Sequence, residues 1–78
     1  MTATIQALKE LMLDIGIERT TVDSLDPAAP LAAQGLDSID YPAFSVALEK
    51  RYQLTISDSD SLTLKSLNDF IAFLERSR

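Results

Sequence analysis

Residues 34–40 read Gln34-Gly35-Leu36-Asp37-Ser38-Ile39-Asp40, and this stretch divides a loop-like segment from a helical one. Gly35 is a turn residue and Leu36 is an apolar anchor, and a helical pattern begins directly after them. Asp37 is a good helix N-cap, and Asp40 places a second carboxylate in the first turn. The pattern therefore predicts that the Ser38 hydroxyl lies exposed near the positive end of a helix.

These residues alone allow two interpretations of Ser38. A phosphate ester on its hydroxyl would lie near free backbone N–H groups, a favourable place for an anion, although Asp37 and Asp40 partly oppose that attraction. Alternatively, Ser38 is an ordinary first-turn serine, since serine and aspartate are common at helix starts. Spacing leaves both interpretations open.

The composition of the 78 residues excludes several classes of protein. Hydrophobic residues make up 46% of the chain, enough for a modest core, so we expect residues 1–78 to form a single domain. The chain contains no cysteine and no histidine, which removes thiol nucleophiles, the usual general base and the commonest metal ligands. We therefore expect no catalytic residues and no metal site.

Charge and hydropathy bear on partners and location. Twelve acidic and seven basic side chains give a net charge of −5, which argues against nucleic acid and anionic membranes and favours basic protein surfaces. No apolar run is long enough to span a bilayer, and none resembles a signal peptide. We expect a cytoplasmic protein, and a monomer because every apolar stripe is needed internally.

Three amphipathic segments predict an all-α protein. They cover residues 3–15, residues 38–52 and residues 64–76. The apolar residues at helical spacing are Ile5, Leu8, Leu11, Met12 and Ile15 in the first, Phe44, Ala47, Leu48 and Tyr52 with Val46 at the edge in the second, and Leu64, Leu67, Ile71 and Leu74 with Phe70 in the third. We expect a small antiparallel bundle of three to four helices with a long first loop.

The helix ends carry recognisable signals. Thr2 or Thr4 can cap the first helix, Gly16 can end it, and Thr63 can cap the last helix. Pro42 has no N–H to donate to a preceding carbonyl. We therefore predict an irregular or delayed start of the second helix.

Two segments lack helical periodicity. Residues 17–36 form a long loop that must be pinned by its own apolar residues, and the candidates are Ile17, Val22, Leu25, Leu31 and Leu36. Residues 53–62 predict an extended link followed by at most one helical turn. The run Asp58-Ser59-Asp60-Ser61 invites comparison with a calcium loop, but the glycine and final glutamate of such loops are missing, so a solvated turn is favoured.

The segment Gly35-Leu36-Asp37-Ser38-Ile39-Asp40 resembles the prosthetic-group attachment motif of the acyl carrier protein family. The likeness covers essentially the whole chain: a helix, a long loop, the motif helix, a short link and a final helix. It implies that Ser38 carries 4'-phosphopantetheine, attached by a phosphopantetheinyl transferase, and that the chain ferries acyl groups as thioesters. An acyl-loading ligase or synthase and downstream acyl-processing enzymes would then be its partners.

The resemblance also points to the second helix for partner recognition. Asp37 and Asp40 flank the serine, and Ile39 would be an exposed apolar contact. Tyr41 would be an exposed aromatic beside the attachment site, and Glu49 would lie further along an outer face. Carboxylates placed in this way would attract basic partner surfaces.

The sequence departs from the carriers of general fatty-acid synthesis, which resemble one another in a strongly acidic second helix. Ala43 stands where we expect a glutamate, Pro42 replaces a core aliphatic residue, and Lys50-Arg51 interrupts the acidic run. The segment between Ile56 and Leu64 is about one helical turn shorter. These departures suggest a specialised carrier, with a fatty acyl, hydroxyacyl, polyketide or aminoacyl cargo.

Two alternatives remain beside the carrier. The chain could be an unmodified helical interaction module of the same fold, and the weakened acidity of the second helix favours this. An enzyme that uses Ser38 as nucleophile would lack a base unless Lys50 or Lys65 came close.

Overall fold

The computed structural model describes residues 3–76. Its elements are α1 (Ile5–Asp14), α2 (Arg19–Asp23), a 3₁₀ turn (Leu31–Gln34), α3 (Asp40–Tyr52), α4 (Asp58–Ser61) and α5 (Leu67–Arg76). Helix α1 packs against α2, α3 and α5. Every regular element within residues 3–76 is helical, which confirms the predicted all-α bundle.

The ends of α1 carry the predicted signals. The Thr4 hydroxyl accepts a hydrogen bond from the Ala7 N–H at 3.0 Å and so caps the helix. Thr2, the other candidate cap, lies outside the described residues. After the helix, Gly16 has a φ of +97°, a left-handed conformation that favours glycine and turns the chain away.

The first loop contains two short helical elements that the sequence pattern does not predict. Helix α2 and the 3₁₀ turn, of five and four residues, are too short to show a helical repeat. The five apolar residues predicted to pin this loop are all buried, namely Ile17, Val22, Leu25, Leu31 and Leu36. The prediction of a long loop held by its own side chains is thus confirmed, with more regular structure than expected.

Backbone hydrogen bonds fasten the first loop to the start of α5. The Leu31 N–H donates to the Lys65 carbonyl at 2.8 Å, and the Asn68 N–H donates to the Pro27 carbonyl at 3.0 Å. These bonds hold the 3₁₀ turn beside α5, and the chain leaves this turn directly toward α3.

Helix α3 begins late, as Pro42 predicts. The regular helix starts at Asp40, and residues 38 and 39 form a turn before it. Pro42 lies in the first helical turn, where its missing N–H leaves the Ser38 carbonyl without its usual helical donor. The predicted delayed start is confirmed.

The link after α3 leads into a single helical turn, also as predicted. Ser57 caps α4 by accepting a hydrogen bond from the Asp60 N–H at 3.1 Å. The carboxylate of Glu49 accepts a hydrogen bond from the Ile56 N–H at 2.7 Å. This bond fastens the link to α3.

Helix α5 starts at Leu67, three residues later than predicted. Thr63 is not its N-cap, because the Thr63 hydroxyl donates to the Asp60 carbonyl at 2.9 Å. The Ser66 hydroxyl accepts from the Asp69 N–H at 3.2 Å, and the Asp69 carboxylate accepts from the Ser66 N–H at 3.1 Å. This reciprocal pair is a capping box with aspartate in the place of glutamate.

Helices α3 and α5 supply the aromatic centre of the core. Phe44 and Phe70 are fully buried and meet edge to face, with ring centroids 5.2 Å apart. Phe73 is also buried, although the predicted stripe omits it. Val46, predicted at the edge of the inward face, is 48% exposed because its position is turned about 200° from that of Phe44.

Candidate functional site

Ser38 stands on the turn that joins the first loop to α3. Gly35 ends the 3₁₀ turn with a φ of +95°, again a conformation that favours glycine. Leu36 is buried and anchors the chain behind this turn, whereas Ser38 and Ile39 are exposed. The structure therefore presents the Ser38 side chain outward, as the sequence predicts.

Two carboxylates hold the turn around Ser38. Asp37 Oδ1 accepts hydrogen bonds from the Ile39 N–H at 2.8 Å and the Asp40 N–H at 2.9 Å. Asp40 Oδ2 accepts in return from the Asp37 N–H at 3.3 Å. The bond from Asp40, followed by the bond from Ile39, lowers the pKa of the Asp37 carboxyl because both bonds favour its charged form. Asp37 thus holds the turn that precedes α3. Contrary to the sequence prediction, it is not the N-cap of the regular helix, because the helix starts late and its N-cap is Ile39.

The same bonds contradict one expectation about Ser38. The Ile39 and Asp40 N–H groups, which follow Ser38 in the first turn, are both taken by the Asp37 carboxylate. They are not free to hold a phosphate ester. A phosphate on Ser38 would instead have a carboxylate as its neighbour, so we expect it to extend away from the turn into solvent.

Tyr41 is not the exposed aromatic that the sequence predicts. Its ring packs against Phe70, with centroids 5.9 Å apart, and its hydroxyl donates to the Leu64 carbonyl at 2.7 Å. The Ser61 carbonyl is 3.2 Å from the same hydroxyl. Burial raises the pKa of the Tyr41 hydroxyl. Tyr41 thereby ties the first turn of α3 to the segment between α4 and α5.

The remaining two recognition candidates differ in exposure. Ile39 is 75% exposed and lies next to Ser38. Glu49 is only partly exposed, and its carboxylate bonds to the Ile56 N–H about three helical turns away from Ser38. Glu49 therefore has a structural task at the far end of α3.

An apolar cavity of about 290 Å³ opens directly beside Ser38. The residues that line it are Leu31, Ala32, Leu36, Asp37, Ser38 and Tyr41. A second cavity of about 280 Å³ shares Ala32 and Tyr41 with the first and reaches Leu62 and Leu64. The first cavity lies between residues 31–38 and Tyr41, whereas the second also takes walls from residues 61–65. The helical spacing of apolar residues indicates neither cavity.

Metal-binding groups and membrane-spanning helices are both absent from the described part of the chain. Within residues 3–76, no three or more histidine, cysteine, aspartate or glutamate side chains are grouped so that they could hold a metal ion. None of the helices in this range combines the length and the apolar character needed to cross a membrane. The chain contains no histidine that could activate Ser38.

A comparison with known families supplies the decisive finding. The family model described as "Phosphopantetheine attachment site" matches residues 6–74. The chain belongs to the phosphopantetheine-attachment family. Domains of this family carry a 4'-phosphopantetheine group on a serine and are carriers without catalytic activity of their own. The match spans α1 to α5, and it confirms the resemblance drawn from residues 35–40.

Membership in the phosphopantetheine-attachment family also assigns a general set of partners. A carrier of this family works with a phosphopantetheinyl transferase and with acyl-processing enzymes. Four of the six residues singled out from the sequence lie together on one turn, namely Asp37, Ser38, Ile39 and Asp40. Tyr41 lies behind this turn and Glu49 lies apart from it. The sequence indicates Leu31 as a buried anchor but does not indicate that Leu31 and Ala32 wall a cavity beside Ser38.

Proposed function

We propose that Ser38 carries the 4'-phosphopantetheine arm and that the chain presents acyl intermediates on it as thioesters. The observation that supports this most is the exposed Ser38 side chain on a turn held by Asp37 and Asp40, inside the matched segment. A turn held in this way offers a transferase one defined geometry. The lack of cysteine and histidine agrees with the proposal, because the arm brings its own thiol.

Loading Ser38 requires a phosphopantetheinyl transferase, coenzyme A and Mg²⁺. The Ser38 oxygen forms a bond to the phosphorus that bears pantetheine, and its proton passes to a base of the transferase. The phosphoanhydride bond of coenzyme A breaks, and adenosine 3',5'-bisphosphate leaves. The exposure of Ser38 gives the transferase access for this step.

The residues beside Ser38 fit the arm. The cavity there is walled mainly by the aliphatic side chains of Leu31, Ala32 and Leu36, and its volume of about 290 Å³ lies at the small end of ligand sites. Such a space suits an apolar portion of the arm or the first carbons of a cargo. The charged phosphate stays outside it, because Asp37 lines the same cavity.

The chain is, in this proposal, a specialised carrier with dedicated enzymes in fatty-acid, lipid or secondary-metabolite biosynthesis. Ala43 and Lys50 are exposed on α3, where general fatty-acid carriers are acidic, and α4 is a single turn of four residues. We also propose that residues 1–78 act as one domain and as a monomer in the cytoplasm. The shared core, to which α1, α3 and α5 all contribute, supports the monomer.

A thiol titration tests the proposal. The unmodified chain contains no cysteine, so any thiol on the repurified protein belongs to an attached arm. After incubation with coenzyme A, Mg²⁺ and the transferase of the same organism, we expect one thiol per wild-type chain and none on Ser38→Ala. A folded wild-type chain that gains no thiol from an active transferase would instead favour an unmodified interaction module.

A further inference from the structure

The outer side of α3 carries an apolar stripe that begins next to Ser38. Ile39, Ala43 and Val46 are exposed and follow one another at intervals of four and three residues, which places them on one face. Lys50 is exposed four residues further along the same face, and Arg51 is exposed beside it. We call these five residues the α3 outer surface.

The charges along α3 are not equally available to a partner. Asp40 and Glu49 are half-buried residues, and the carboxylate of each accepts a hydrogen bond from a backbone N–H of this chain. Lys50 and Arg51 lie exposed in the last turn. The charge that α3 offers most freely to another protein is therefore positive, although the resemblance implies an acidic helix.

The α3 outer surface lies so close to Ser38 that we expect a loading enzyme to contact it. Ile39 is the residue after Ser38, and at 1.5 Å per residue the stripe runs about 16 Å from Ile39 to Lys50. A stable protein interface covers about 800 Å² on each partner. An enzyme that reaches the Ser38 oxygen with a contact of that size covers much of the α3 outer surface.

We propose that the transferase that loads Ser38 docks on the α3 outer surface through an apolar recess bordered by carboxylates. The recess receives Ile39 and Val46, and the carboxylates meet Lys50 and Arg51. This inference rests on the proposed attachment at Ser38 and adds the chemistry of the partner. It reverses the basic partner surface that the resemblance implies.

The net charge of −5 does not conflict with this proposal. Salt screens exposed charges that are farther apart than about 8 Å at physiological ionic strength. The exposed carboxylates of Glu18 and Asp23 belong to the first loop, and that of Asp37 lies at the serine end of the contact. Lys50 and Arg51 lie at the opposite end of the contact, about 16 Å away, and it is there that the proposed carboxylates of the partner meet the chain. Contact charges decide which partner surface is complementary, and net charge acts mainly on the approach.

Loading kinetics with the transferase of the same organism test the proposal. Lys50→Glu/Arg51→Glu places negative charge on the α3 outer surface. Lys9→Glu/Arg19→Glu, on α1 and α2, is the matched control because it changes the net charge by the same amount. For the apolar part, Val46→Ser is paired with Leu62→Ser, since Leu62 is 74% exposed but lies outside the α3 outer surface.

We expect Lys50→Glu/Arg51→Glu to raise the KM for the carrier about tenfold or more, with kcat within about twofold, because docking and not chemistry is impaired. Val46→Ser should raise KM about threefold or more, and both controls should stay within about twofold of wild type. Thermal unfolding of each variant shows that the fold is kept. Equal effects on KM in variant and control would overturn the inference, because the α3 outer surface would then not be the docking site. A lower KM after charge reversal on α3 would also overturn it and would point to a basic partner. If the wild-type chain is not loaded at all, the attachment proposal itself fails.

Discussion

Asp37 shapes the site through its charge as well as its position. Its carboxylate holds two backbone N–H groups, and these bonds lower its pKa in the folded chain. Because the folded-state pKa lies below the ordinary value of about 4, ionised Asp37 stabilises the fold above that pH. The contribution is lost as the pH falls through the lowered pKa.

We expect Asp37→Asn to be less stable than wild type at neutral pH, and we expect the difference to shrink as the pH falls through the lowered pKa of Asp37, because the wild-type carboxyl then becomes protonated. Asparagine keeps a capping oxygen, so the variant isolates the charge. Urea unfolding at several pH values measures the difference. Asp23→Asn, at an exposed carboxylate of α2, is the control. A gap that stays constant across the pH range would show that the charge of Asp37 is not involved.

Tyr41 is the second residue whose hydrogen bonds carry a prediction. Tyr41→Phe removes the hydroxyl that donates to the Leu64 carbonyl, and we expect the free energy of unfolding at pH 7 to fall by about 0.5–1.5 kcal/mol. Chemical denaturation measures the change. Since Tyr52 is present in both proteins, the difference reports on Tyr41 alone.

The pH dependence gives this prediction an internal check. The pKa of Tyr41 is raised in the folded state, so the neutral hydroxyl stabilises the fold below about pH 10, and this contribution is lost as the pH rises through the raised pKa. The difference between wild type and Tyr41→Phe should therefore shrink at alkaline pH. A difference that grows above about pH 10 would contradict the assignment.

At the scale of single residues, the sequence predicts the contacts that a side chain makes with residues close to it in the chain. The carboxylate of Asp37 binds N–H groups two and three positions away, and local spacing indicated a capping role for it, although the bonds close the turn before α3 and Ile39 is the N-cap of the helix. The environment of Tyr41 depends on carbonyls 20 and 23 residues along the chain, and that of Glu49 on an N–H seven residues away. Exposure of Tyr41 could not be judged before the packing of α3 against α5 was known.

Helix α5 owes its start to the capping box formed by Ser66 and Asp69. Because Ser66 is buried, little water is available to replace its hydroxyl as the acceptor for the Asp69 N–H. We expect Ser66→Ala to lower the free energy of unfolding by about 1 kcal/mol. Thr63→Ala should lower the free energy of unfolding by only a few tenths of a kcal/mol. The reason is that the Thr63 hydroxyl bonds to the Asp60 carbonyl and does not cap α5.

Equilibrium unfolding of Ser66→Ala and Thr63→Ala, compared at one pH, distinguishes the two caps. Backbone amide exchange should also rise in the first turn of α5 for Ser66→Ala only. If Thr63→Ala were the more damaging of the two, the helix would start near Leu64, as the apolar stripe predicts.

The elements were predictable in proportion to their length. The stripes of α1, α3 and α5 extend over ten or more residues, and the three helices are confirmed. Helix α2 and the 3₁₀ turn are each stabilised by burying a single residue, Val22 or Leu31, which leaves no repeat to detect. The late start of α3 was predictable because it follows from the covalent structure of Pro42 alone.

At the scale of the whole molecule, the core and the site use different sides of α3. Phe44 and Leu48 are fully buried, whereas Ser38, Ile39 and Val46 face solvent. The core therefore fixes the position of the turn without using the Ser38 side chain. Changes at Ser38 should act on function and leave the fold unchanged.

The division between core and surface also shows what the sequence could not supply. The helical spacing of apolar residues predicts which side of a helix faces inward, and this was enough to predict the helical bundle. The cavity beside Ser38 lies between the end of the first loop and Tyr41, and only the second cavity also involves the α4–α5 segment. Both depend on how these segments fold against one another, which the spacing of apolar residues does not give. The choice of cargo depends on such surfaces and on partners, and no local motif encodes it.

Intact-protein mass spectrometry tests the central claim most directly. Wild type, Ser38→Ala and Ser59→Ala are incubated with coenzyme A, Mg²⁺ and an active transferase, and Ser59 serves as an exposed serine on α4. We expect wild type and Ser59→Ala to gain one phosphopantetheine and Ser38→Ala to gain none, while its free energy of unfolding stays within about 0.5 kcal/mol of wild type. A phosphopantetheine on Ser38→Ala would contradict the assignment of the site, and a marked loss of stability in that variant would mean that Ser38 is structural.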